Sequence, residues 1–139
     1  MATFQKFNQF VEDLAKGVHN LSTGQLKVAL TNTAPVAANS VYADLTSPLA
    51  TTNLSGATLF NVTTTSCEQT SGTLTLVLVD LTLTATGAVG PFQYVVLYND
   101  TPSSPADPLI GWWDYGSAVT MANTETFAID FAATTISLS

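Results

Sequence analysis

Asp100, Asp107 and Asp114 gather around one turn-rich loop, 99–107, and are the side chains of this sequence best placed to do acid–base chemistry. Paired carboxylates can hydrolyse glycosides, and clustered oxygens can hold calcium. The spacing matches no calcium loop, so the simpler role is local: Asp hydrogen-bonds its own backbone in turns. Triad catalysis needs a histidine held by an acid and touching a serine. The single histidine, His19, follows a predicted helix among Gly17, Val18, Asn20 and Leu21 and reads as a helix-end residue. A lone Cys67 excludes an intramolecular disulfide and a cysteine zinc site, and reads as a small, half-buried residue. Arginine is absent, and no phosphate loop or metal-spaced histidine pair appears. These features predict a protein that is not an enzyme and that holds no cofactor and no metal.

The remaining candidates are aromatic. Between Gly90 and Gly116, a Tyr94–Tyr98 run and a Leu109–Tyr115 run read as two strands on either side of a Pro/Ser/Asp loop. Trp112 and Trp113 are adjacent, and successive strand residues point to opposite faces. One of them therefore enters a core, and the other needs a groove, a covering loop or another protein. Exposed Trp and Tyr anchor protein interfaces and sugar-stacking sites.

The elements that must position these groups are mostly strands. Residues 73–86 place Leu74, Leu76 and Leu78 on one parity and Leu81 and Leu83 on the other, which demands a bulge or break near Val79-Asp80. Further strands are predicted at Leu26–Leu30, Leu59–Val62 and Phe127–Phe131, and Ile136 and Leu138 end the chain. Residues 36–54 read as a long loop with at most a short strand near Val41–Leu45. The region 45–72 is otherwise left without regular structure, apart from the 59–62 strand. Before all of this, Phe4, Phe7, Phe10, Val11, Leu14 and Val18 recur at helical spacing, with Thr3 suited to the N-cap and Gly17 to the stop. The opposite face carries Glu12, Asp13 and Lys16. The expectation is a mainly β chain, 1–139, in one domain. It would comprise a helical arm over 1–20 and an antiparallel, jelly-roll-like β-sandwich over 25–139.

Composition bounds the partners. Charged residues make up 9% of the 139-residue chain, hydrophobic residues 46%, and the net charge is −7 with Lys+Arg 3. An ordinary soluble domain is about 25% charged. Phosphate binding needs clustered Lys or Arg, so nucleic acid and anionic membrane surfaces are not expected partners. No apolar run reaches a membrane span, and no secretory signal is predicted. The sequons at Asn20, Asn53, Asn61 and Asn99 then read as by-products of a Thr/Ser/Asn-rich chain. Charge depletion with aromatic enrichment marks surfaces that other subunits cover.

Two long blocks carry a family resemblance. FVEDLAKGVHNLSTGQLKVALTNTAPVAANSVYADLT, at 10–46, resembles the amino-terminal block of small virion proteins of tailed bacteriophages, in which a helix runs into an L-K-V-A-L-T-N-x-A-P strand and turn. YVVLYNDTPSSPADPLIGWWDYGSAVTMANTETFAIDF, at 94–131, is similar to their carboxyl-terminal half, with Y-N-D-T, P-L-I-G and T-F-x-x-D-F in order. The resemblance implies a capsid cement, or decoration, protein on the capsid surface of the virion, made in the host bacterial cytoplasm. Its partner would be the major capsid protein, and it would self-associate as a dimer or trimer. A tail or head-fibre component is the alternative within the virion. A carbohydrate-binding module, with Trp112 or Trp113 stacking on sugars and Asp114 accepting hydroxyls, is the alternative outside it. The expected contact residues are Phe4, Phe7, Phe10, the outward one of Trp112 and Trp113, and Tyr115.

Overall fold

The computed structural model describes residues 3–131 and 136–138. The expected leucine break organises the fold. Strand β6 (Thr73–Leu78) and strand β7 (Leu81–Ala85) are separate, and they belong to different sheets. Val79 between them is turned outward, 47% exposed, while Leu76, Leu78, Leu81 and Leu83 are all buried. The change of parity is thus resolved by leaving one sheet and entering another. The Asp80 carboxylate at the corner accepts the Phe131 N–H at 2.8 Å.

The chain is mainly β with antiparallel sheets and one α-helix. The largest sheet is ordered β1 (Gln5–Lys6), β9 (Leu109–Met121), β8 (Val89–Asn99), β2 (Leu26–Thr31), β4 (Asn61–Val62). A second sheet runs β10 (Thr126–Ile129), β7, β3 (Leu54–Ser55), and a third runs β11 (Ile136–Leu138), β6, β5 (Thr64–Thr70). Side chains from all three sheets meet in one core, among them Val28, Leu76, Leu83, Phe92, Leu97, Trp113 and Phe127.

The largest sheet is also covered on its other face. Phe7, Ala29, Leu45, Val96, Tyr98 and Leu109 form a second cluster there, with Tyr42 and Trp112 packed against it. This explains the unbroken apolar run of β8, since Val95, Val96, Leu97 and Tyr98 are all buried. A strand buried on both faces has no reason to alternate. The 36–54 loop supplies part of the cover. It forms a short 3-10 turn at Tyr42–Asp44 where the sequence allowed a strand, touching β9's approach through a Val41–Pro108 bridge. Backbone N–H groups of Ser40 and Val41 donate to Asp44 and hold its carboxyl below the usual range.

Two sequence expectations are corrected. The amino-terminal helix does not span 4–18 with Thr3 as cap: α1 is Asn8–Ala15, and Phe7 occupies the cap position without a side-chain bond. The preceding residues pair with the sheet instead, Gln5 opposite Trp112 and Lys6 opposite Gly111. Ladder bonds and the burial of Phe7 outweigh helical periodicity there. The shorter helix turns Phe10 and Asp13 inward and leaves Val11 45% exposed. Gly17, at φ +77, ends it as expected. The other correction is β5, TTSCEQT, a polar strand inside the region read as irregular. It is largely exposed, so it carries no apolar alternation to be recognised by.

Candidate functional site

The strand pair β8–β9 presents the aromatic residues. Val95 lies opposite Trp113 and Val96 opposite Trp112. Trp113 points into the main core, 5% exposed, between Phe4 and Phe131 at ring distances of 5.2 and 5.6 Å. Trp112 points the other way and is half-buried under Phe7, with rings 4.5 Å apart. The outward tryptophan is thus Trp112, and its covering comes from the chain's own amino-terminal segment.

Of the other expected contact residues, Phe7 and Phe10 are fully buried in the single chain and Phe4 is partly buried beside Trp113. Phe10 stacks on His19 at 5.3 Å. Tyr115 is 55% exposed and is the member of the set that projects furthest.

Tyr115 borders a groove of about 340 Å³ whose walls include Val95, Trp113, Phe127 and Ile129, with Asp130 at the lip. Its ring lies 5.3 Å from that of Phe127. A wide irregularity of β9 sets it there. The register moves from Tyr94–Asp114 to Phe92–Val119, so a longer piece of β9 faces a shorter piece of β8. Gly116, at φ +98, makes the bend, and Asp114 accepts its N–H at 2.8 Å and the Gln93 amide at 2.9 Å. Asp114 therefore has the turn-shaping role expected of it. The contributions of Phe127 and Asp130 to the groove were not anticipated. The available signal was the 127–131 alternation, which puts Phe127 and Phe131 on one face.

The other two acids do come together. Lys27 lies 3.7 Å from Asp100, and Asp107 stands beside Asp100. Burial first, then the neighbouring Asp100 carboxylate, pushes the Asp107 carboxyl up, while Lys27 pulls it down. The Tyr98 hydroxyl beneath is pushed up by burial and by the negative groups around it. The loop is pinned by Tyr42, whose N–H donates to Asp107 O at 2.9 Å. Among the described residues no third Asp, Glu, His or Cys joins them in a metal-sized cluster.

His19 meets no serine but Asn99. The Asn99 Oδ1 accepts the Thr101 N–H at 3.1 Å, which leaves Nδ2 to donate to His19 Nδ1 at 3.2 Å. Both residues are buried, and Asp13 Oδ2 and His19 Nε2 are buried without a partner among the described residues. Burial lowers the His19 pKa below its ordinary 6.5, with nearby Asp13 pulling the other way. The folded state thus binds this proton less readily than the unfolded state. The His19 contribution to stability should be level above pH 6.5, fall as pH drops below it, and level off beneath the lowered value. Chemical denaturation at pH 7 and pH 5 checks this. His19→Gln should remove the part of the loss due to His19, and an unchanged loss would refute the assignment. Asp107, whose pKa is raised, acts in the opposite sense from 3.8 upward, so the difference between the two proteins isolates His19.

Cys67 is half-buried, and burial raises its thiol pKa, which leaves it a weak nucleophile at neutral pH. Comparison of the chain with family models, curated proteins and solved structures returned no match.

Proposed function

We propose that this chain is a structural protein of a bacteriophage virion, a cement subunit that sits on the capsid surface and ties neighbouring copies of the major capsid protein together. The observation that carries the reading is how the aromatic residues are used. They stiffen a sheet buried on both faces and line one open groove, at which Tyr115 is 55% exposed. Such a surface suits contact with another protein, where exposed aromatic residues dominate binding. The charge-poor composition and the phage-like blocks at 10–46 and 94–131 support the same reading. We read the meeting of three sheets around one core as a jelly-roll-like β-sandwich. Self-association as a dimer or trimer suits a symmetric shell, where many modest contacts act together.

Purified protein is expected to bind emptied, undecorated heads. Tyr115→Ala should weaken that binding roughly tenfold while lowering stability by about 0.5–1.5 kcal/mol through loss of its packing on Phe127. Failure of the unaltered protein to bind would remove the cement reading. Localisation of the chain in a virion map would separate it from a tail or head-fibre role.

A carbohydrate-binding role has one observation in its favour. Trp113 and Tyr115 are two residues apart and border the same groove, with the Asp130 carboxylate at its lip. Residues two apart share a face, which adjacent tryptophans do not, but with Trp113 only 5% exposed the stacking surface would be the Tyr115 ring. Glycan-array binding lost on Tyr115→Ala would favour this reading, and a blank array would retire it.

A further inference from the structure

Sheet edges expose unpaired backbone groups, and proteins blunt them by keeping edge strands short or charged. The largest sheet ends in β1 and β4, each of 2 residues; the stretch of β9 beyond β1, Trp113–Met121, is bent at Gly116 and shifted in register against β8, which also blunts an edge. The second sheet ends in β3, of 2 residues, and β10, of 4. In the third sheet β11 has 3 residues, whereas β5 has 7. β5 contains no Pro and no Lys, and its one charge is Glu68. Among the described residues only two of its side chains bond outside the strands of its sheet: the Thr64 hydroxyl donates to Leu21 O at 3.1 Å, and Gln69 Oε1 accepts the Gly72 N–H of the adjoining turn at 3.0 Å. Ser66–Thr70 run regularly against β6 and leave their far edge open.

We propose that this edge binds the β5 of a second copy of the chain, antiparallel about a two-fold axis at Cys67. The residue pattern selects both the occupant and the register. Centring on Cys67 lets the whole strand overlap: Thr64 faces the partner's Thr70, Thr65 the partner's Gln69, and Ser66 the partner's Glu68. Centring on Glu68 would keep only the regular segment Ser66–Thr70, clear of the irregularity after Thr64, but would set two Glu68 carboxylates face to face. Like charges directly opposite destabilise a strand pair, whereas a serine opposite the carboxylate gives it a hydroxyl donor. The threonine-rich strand also favours extended pairing. The result is one continuous sheet, β11-β6-β5 joined to its symmetry mate. A lone two-strand contact is weak, which suits subunits whose final stability comes from a lattice.

This names the surface for the self-association proposed above, but does not depend on what the dimer binds. Head binding by a protein that stays monomeric would defeat this proposal alone. A dimer that ignores heads would defeat only the cement reading. The test is sedimentation of the full chain over a concentration series. Dimers are expected, with the dissociation constant raised roughly tenfold by Ser66→Glu, which faces Glu68 twice across the axis, and lowered by Ser66→Lys, which pairs with it twice. Ser66 is half-exposed, so both variants should retain the fold, which circular dichroism would check. A monomer at every concentration, or a dimer indifferent to the Ser66 charge, would each overturn the proposal.

Discussion

Trp113→Ala is expected to lower stability by about 3–5 kcal/mol, the usual cost of emptying a large aromatic site in a packed core. Trp112→Ala should cost about 1–2 kcal/mol, because a half-buried ring gives up less contact area. The contrast follows from strand geometry. Trp113 is 5% exposed and sits between Phe4 and Phe131, where three sheets meet. Trp112 lies on the outer face and touches Phe7 across a cover of loop and amino-terminal strand. Denaturant midpoints at unchanged slope would measure both. Equal costs would show that the assignment of inner and outer faces is wrong. Trp113→Ala should also deepen the groove beside Tyr115, so its effect on head binding must be read against its loss of stability.

Gly111→Ala is expected to cost about 2–3 kcal/mol, at the upper end for overpacking. A Cβ at Gly111 would lie 2.2 Å from two atoms of the Phe4 ring and 2.6 Å from Gln5 O. The first clash could be relieved by moving a side chain, but the second is with backbone. The whole of β1 would have to leave the sheet, uncovering Trp113 on one face and loosening Phe7 on the other. Phe4→Ala in the same chain should rescue only part of the loss, because the carbonyl clash persists. Complete rescue would mean that the ring alone is the obstacle, and a neutral Gly111→Ala would mean that β1 is not seated there. A double-mutant cycle separates these outcomes.

Local pattern was most reliable where a strand has one buried face. The leucines of 74–83 announced their own break, because alternation cannot skip a residue without changing faces. The adjacency of Trp112 and Trp113 likewise required two different environments. The pattern misled at the amino terminus. Phe4, Phe7 and Phe10 fit helical spacing, yet Phe4 and Phe7 belong to a segment that adds to a sheet edge formed by residues more than a hundred positions away. No local signal carries that pairing. β5 was missed for the opposite reason: a polar edge strand held by backbone bonds needs no apolar periodicity.

The candidate site divides the same way. The sequence singled out Tyr115 and the tryptophans by residue type, but it could not show that Phe127 and Asp130 complete a groove with Trp113 and Tyr115. Nor could it show that Asp100 and Asp107 meet over Lys27 while Asp114 stays apart to shape a turn. Asp13, placed on the polar face of the helix, is buried near His19, because the helix turns its Phe10 and Asp13 side inward and leaves Val11 outside.

By itself, the sequence determined the strand-rich character of the chain, the break at Val79-Asp80, the opposed faces of the tryptophans and the poverty of cationic side chains. Each of these follows from composition or from a period of two residues. Only the tertiary structure decided which tryptophan faces the core, what covers the other, and that β5 forms a regular, open sheet edge. Those outcomes depend on pairings between distant segments, whose free energy resides in shared burial and ladder bonds and not in the preference of any one stretch of chain.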